Sequence, residues 1–125
     1  MSTSQHPSDP PLEAGSASLD DLRRLDLRVG RIVEARPLEG ARSPAYRLLI
    51  DFGAVGRRSS SAQLVATYPD PAALVGRLVV AVVNLPPRRV AGFSSEVLVL
   101  GAPAAGGQVF LLGADEGAQP GQRVS

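Results

Sequence analysis

Residues 84–101 read NLPPRRVAGFSSEVLVLG. An apolar run, Leu78 to Val83, leads into this stretch and stops at the polar Asn84. A Pro86-Pro87 corner follows, then Arg88 and Arg89, a turn at Gly92, the cluster Ser94-Ser95-Glu96 and a second apolar run, Val97 to Leu100. The pattern predicts two buried strands holding a short loop that carries positive charge and hydroxyls. Rigid strands that position a polar loop are a common way for a fold to present a binding site.

Working outward, the same alternation recurs. Leu25, Leu27 and Val29 alternate with Asp26 and Arg28, which predicts a half-buried strand, with Gly30 placing a bulge or sharp coil in it. Tyr46, Leu48, Ile50 and Phe52 alternate with Arg47, Leu49 and Asp51 to give a second strand. Arg57 to Val65, RRSSSAQLV, reads as a third strand with a polar start. Asp70 to Val75 predicts one helical turn, Leu78 to Leu85 a buried fourth strand and Ser95 to Leu100 a fifth. Val109 to Leu112 adds a short last strand, with an edge strand near Val124. Ser18 can cap a short helix with Asp20 and Asp21 in its first turn, and Leu19, Leu22 and Leu25 form an apolar stripe. So short a helix needs something to pack against, either the domain or a second subunit. The expected fold is all-β: a five-stranded Greek-key barrel, the OB-fold, with one short N-terminal helix and another between strands 3 and 4. Residues 1–17 read as a disordered leader, and 18–125 as the domain.

Composition narrows the function. The 125 residues include no cysteine and one histidine, His6, and all 13 basic residues are arginine. That excludes thiolate chemistry and Schiff-base lysines, and it argues against a zinc or histidine-cluster site, so no metal or cofactor is expected. No nucleophile–base pair or cofactor loop emerges, which argues against an enzyme. The net charge of +1 is unevenly spread: −2 over residues 1–35, +5 over 36–95 and −2 over 96–125. A basic centre between acidic ends predicts a localised anion-binding surface. No run is long enough to span a membrane, and the leader lacks a signal-peptide core, so the expected location is the cytoplasm.

The candidate binding residues fall in two clusters. The first is Arg57, Arg58, Ser59, Ser61 and Gln63, where alternation puts Ser59, Ser61 and Gln63 on one side of a strand. The second is Asn84, Arg88, Arg89, Ser94 and Ser95. Arginine forks suit phosphate oxygens, and hydroxyls and amides add neutral hydrogen bonds. One of the two adjacent arginines is expected to bond Glu96 instead. Aromatics are few, and Tyr46 and Phe52 share a core face, so contacts with phosphates and overall shape should outweigh base stacking. Folded RNA suits such a surface better than an unstructured strand.

Residues 25–52, the RSSSAQ at 58–63 and above all 84–101 resemble the CsaA family, over about Ser18 to Ser125. Related appendages of methionyl- and phenylalanyl-tRNA synthetases share a pattern matched here by Ser61, Asn84, Arg89, Ser95 and Glu96. The resemblance implies an OB-fold homodimer joined through elements at both termini. It also implies binding of structured tRNA without catalysis, together with a chaperone-like activity toward unfolded or preprotein segments. The sequence departs from the family where lysines are common: it has Arg57, Arg58 and Ser94 instead.

Overall fold

The structure, a computed structural model, describes residues 15–125, so most of the expected leader lies outside the described residues. Ser18 caps helix α1 (Leu19–Arg23) as a capping box: the Asp21 amide donates to Ser18 Oγ at 3.2 Å and the Ser18 amide to Asp21 Oδ2 at 2.8 Å. The helix buries none of its residues, and Leu19, Leu22 and Leu25 remain 66%, 40% and 41% exposed. Its stripe therefore has no cover within the described chain.

Strand β1 (Leu27–Pro37) organises the barrel because it serves two neighbours in turn. Its first half pairs antiparallel with β4 (Leu78–Val82), from Leu27 opposite Val82 to Arg31 opposite Leu78. Its second half pairs with β2 (Tyr46–Asp51), from Arg31 opposite Asp51 to Pro37 opposite Tyr46. A strand that changes partners must coil, and the reason it can do so lies at Gly30. A Cβ there would sit 2.5 Å from Ile50 Cγ2 and 2.6 Å from Phe52 Cε1, so the missing side chain is what lets the core close against the backbone. The expected bulge falls slightly later, where the register slips between Ile32 and Glu34. The C-terminal segment lies along the free side of β1's first half: Val29 donates to Gln122 O at 2.9 Å and Val124 to Leu27 O at 2.8 Å.

Strand β3 (Arg57–Ala62) pairs with β2, and the two-residue β7 (Leu98–Val99) pairs with β4. The sheet order is β3-β2-β1-β4-β7, an antiparallel, nearly closed barrel of OB type. Two hairpins complete it, β5 (Arg88–Val90) with β6 (Phe93–Ser95) and β8 (Gly101–Pro103) with β9 (Val109–Leu111). The expected helical turn is present as a single 3-10 turn, Pro71–Leu74, capped by Asp70, and it drives Leu74 into the barrel floor. Ile32, Leu48, Ile50, Phe52, Leu64 and Val79 join Leu74 in the core, and the buried Tyr46 places its hydroxyl on Tyr68 O at 2.7 Å.

The continuous fifth strand expected over 95–100 is broken. The amides of Glu96 and Val97 both donate to Ser59 O, at 2.9 and 3.2 Å. Consecutive amides of a straight strand point to opposite sides, so this convergence forces a kink and turns Val97 into the core. No helix among the described residues is long and apolar enough to cross a membrane.

Gly30→Ala tests the packing account. The added methyl must displace Ile50 or Phe52 at the centre of the barrel, an overpacking cost of about 1–3 kcal/mol. A urea unfolding curve should show a lowered midpoint, whereas an unchanged midpoint would mean the barrel has slack there.

Candidate nucleic-acid interface

The core pattern of β2 sets which side chains of β3 face outward. Leu48 and Ser60 are opposite each other and both buried, so the next pairs, Leu49 with Ser59 and Arg47 with Ser61, lie on the outer face. The same row continues to β1, where Arg36 stands opposite Arg47. Arg36, Arg47 and Ser61 thus form a line across three strands. Arg36 is held by Glu34 at 3.0 Å, and the Arg47 guanidinium lies 5.7 Å from the centre of the Phe93 ring on β6.

The β5–β6 hairpin is fastened to β3 by side chains acting as strand backbone. The Ser61 amide donates to Ser95 Oγ at 2.9 Å. The Glu96 carboxylate accepts the Ser59 amide at 3.0 Å and lies 2.9 Å from its hydroxyl, which also reaches Ser94 O at 2.6 Å. These bonds, reinforced by the positive charge of Arg58, hold the Glu96 carboxyl below the usual carboxylate range, against the smaller opposing effect of burial. Neither loop arginine takes Glu96, so the expected pairing is replaced by Ser59. The hairpin turn is Ala91-Gly92, with φ of 51° and 78°. Both values are positive, the I′ geometry that matches strand twist, and a non-glycine at the first position stores strain there.

Pairing also separates the two arginines. Arg88 stands opposite Ser95 and Arg89 opposite Ser94, so they emerge from opposite faces of the hairpin. Arg89 spends its Nη1 on Gly92 O at 2.7 Å, bracing the turn. Arg88 lines a cleft of about 700 Å³ with Arg42, Ser61 and Gln63 over a wall that includes Leu64 and Leu98. Asn84 lies away from this cleft and points both ends of its amide at backbone: Nδ2 donates to Arg24 O at 2.9 Å and Oδ1 accepts the Asp26 amide at 2.8 Å. It ties the start of the loop to the junction of α1 and β1.

Of the ten candidates, the structure gathers Ser61, Gln63 and Arg88 at the cleft and Ser59, Ser94 and Ser95 in the adjoining seam. Arg57 and Arg58 lie at the far end of β3, opposite Asp51 and Ile50. Arg42 and Arg47 join the surface unforeseen. Arg42 is in a stretch read only as a turn. Arg47 could have been found, because its outward alternation in β2 mirrors that of Ser61.

Fold and site together define an OB-type barrel module with a cationic cleft framed by a braced hairpin. Residues 27–123 match the family model tRNA_bind, "Putative tRNA binding domain", and the chain belongs to that family. Its structure is similar to that of the chaperone CsaA of Bacillus anthracis, with a TM-score of 0.82 and 47% identity over 89% of this chain and 100% of that one. A CsaA chaperone protein of Picrophilus torridus aligns with a TM-score of 0.79 and 40% identity over 88% of this chain and 100% of its own. A methionine–tRNA ligase of Xanthomonas campestris is 39% identical over 119 residues, 95% of this chain. The chain spans only 17% of that ligase's length.

The seam makes a pH-dependent prediction. A carboxyl held low in the folded state stabilises above its unfolded value and loses that contribution as pH falls through the folded one. Glu96→Ala should cost about 1.5–3 kcal/mol at pH 7, the scale of hydrogen bonds to a charged group. Wild type and variant should converge as pH drops below about 4. A gap in denaturant midpoints that stays constant from pH 7 to pH 3 would assign the loss to packing.

Proposed function

We propose that this protein is a non-catalytic, cytoplasmic tRNA-binding protein that acts as a homodimer and grips folded tRNA through the cleft and the hairpin beside it. The observation that carries this reading is the convergence of Arg42, Arg47 and Arg88 with Ser61 and Gln63 on one side of a barrel from the tRNA-binding domain family. Guanidinium groups neutralise phosphates and release counterions, while the hydroxyls and the amide add contacts of fixed geometry. With Phe93 the one aromatic side chain among the described residues of this face, the surface favours the shape of a folded RNA over the stacked bases of a single strand.

Asn84, Arg57, Arg58 and Arg89 enter this reading in different ways. Asn84 acts by holding the loop that leads to Arg88, and Arg89 by bracing the turn. Arg57 and Arg58 extend the positive field beyond the cleft, where phosphates farther along the RNA would meet it. The dimer reading draws on the bare leucine stripe of α1, which a second copy would cover. Two cationic faces on one dimer would then make the second contact with an RNA intramolecular.

Folded tRNA should bind at low salt and lose affinity steeply as salt rises, and a poly-pyrimidine strand should compete poorly for the site. Arg88→Ala should weaken binding and flatten the salt slope by about 0.9, the value for one lost phosphate contact. Equal competition by the unstructured strand would replace shape recognition with general single-strand binding. A second reading, binding of unfolded protein segments, is favoured by the similarity to proteins described as CsaA chaperones and by the exposed Leu85 and Leu98. It moves ahead if tRNA fails to bind at 50 mM salt while an apolar peptide binds.

Sedimentation at micromolar concentration should give twice the 13.0 kDa chain mass. Leu19→Asp combined with Leu22→Asp should return a folded monomer, and an unchanged dimer would place the interface elsewhere.

A further inference from the structure

We propose that the cleft between the 40–45 loop, the end of β3 and the β5–β6 hairpin is a pocket for one extruded nucleotide, with the base inside and its phosphate at the arginine rim. This deepens the tRNA-binding reading and rests on it for the source of the nucleotide. Three observations point the same way. The cleft, at about 700 Å³, falls within the range of small-molecule pockets, about 300–1,000 Å³. Part of its wall is aliphatic, with Leu64, Leu98 and Val99 among the lining side chains, and none of the described residues that line it is a carboxylate. Its rim carries Arg42, from the 40–45 loop, and Arg88, from the start of β5.

The polar groups at this site are the uncommitted ones. Of the arginines among the described residues, only Arg24, Arg42, Arg57 and Arg88 make no side-chain hydrogen bond, ion pair or ring contact with another described residue, and two of these four stand at this rim. The Ser61 hydroxyl and the Gln63 amide likewise make no hydrogen bond with any described residue, although the Ser61 amide is taken by Ser95. A primary amide both donates and accepts, as the edge of a nucleobase requires. An anion joined to a flat, mostly apolar body with a polar edge satisfies all of these groups together. A neutral apolar peptide segment would leave both arginines and the amide unanswered.

The two flanking loops close on each other at one end, where a Cβ on Gly40 would stand 3.8 Å from the Cβ of Ala91. The strained Ala91-Gly92 turn holds that edge in place. Unpaired bases in the loops of a folded RNA are the ones free to enter.

The test is an amide-shift titration of the full chain with the four 5′-ribonucleoside monophosphates, the matching nucleosides and inorganic phosphate, with folded tRNA run on the same samples. At least one monophosphate should shift the amides of 40–43, 61–64, 88–92, 98–101 and 109–111 that line the cleft, saturably. Its nucleoside, and phosphate alone, should each bind at least fivefold more weakly. Gln63→Ala should weaken the monophosphate about threefold or more while leaving the phosphate response unchanged, and Gln63→Glu should abolish binding. The two side-chain changes are at an exposed position, so an unchanged spectrum elsewhere verifies the fold. Phosphate acting as strongly as the nucleotide, shifts lying outside these segments, or an acidic apolar peptide shifting them more strongly than any nucleotide would each overturn the pocket. If tRNA binds and no nucleotide shifts the cleft, the pocket is wrong and the tRNA reading stands. If nucleotides fill the cleft and tRNA does not bind, the pocket stands and the tRNA reading falls.

Discussion

A nearly closed barrel must satisfy the backbone of its two edge strands where they meet, and here two side chains do it. Ser95 Oγ takes the Ser61 amide, the Glu96 carboxylate takes the Ser59 amide, and Ser59 O takes the amides of both Glu96 and Val97. An ordinary ladder would have run straight on from β6 into β7. This arrangement instead kinks the chain, buries Val97 and sets the β5–β6 hairpin against the outer face of β3. The cleft exists because of that offset: one wall is β3 and the other is the hairpin that the seam holds. Loss of the Ser95 hydroxyl or the Glu96 carboxylate would leave backbone amides of β3 unsatisfied at a partly buried site, at a cost to local stability.

A second set of bonds joins the hairpin to the ends of the chain. Asn84 holds the α1–β1 junction, Arg123 donates to Arg23 O at 2.9 Å, and Arg28 pairs with Asp26 at 2.6 Å while also donating to Gly121 O at 3.0 Å. The Arg28 guanidinium holds the Asp26 carboxyl below its usual range. The result is a short helix whose backbone is fixed while its leucines stay bare. Asn84 connects the base of that helix to the loop that delivers Arg88.

Much of this was legible because period-two alternation is a local signal. Tyr46 to Phe52 announced its strand in this way, Leu78 to Leu85 announced its own by the continuous apolar run that opens it, and Ser18 with Asp20 and Asp21 announced the helix cap. What escaped depends on partners distant in sequence. Gly30 read as a bulge because its role, admitting Ile50 and Phe52, is set by residues twenty or more positions away. Glu96 read as an arginine's partner, because nothing local reveals that β3 folds back to offer Ser59. The adjacent Arg88 and Arg89 read as one unit in a loop. Pairing within a three-residue hairpin separates them, one toward the cleft and one onto the turn. Hairpin strands of that length are too short to leave a periodic trace. Arg42 and Arg47 were missed for the complementary reason: each looked like an ordinary surface residue until the register placed Arg47 opposite Ser61 and the 40–45 loop brought Arg42 to the cleft with Ser61 and Gln63.

The central claim is that RNA binds the face that the Ser95–Glu96 seam organises. Amide hydrogen exchange with and without folded tRNA tests it most directly, because it reports every segment at once. The account predicts slowed exchange concentrated in 40–47, 59–64 and 88–101, with the 109–111 strand that lines the cleft following them and α1 unchanged. Protection confined to residues 19–25, or spread evenly over the chain, would contradict it.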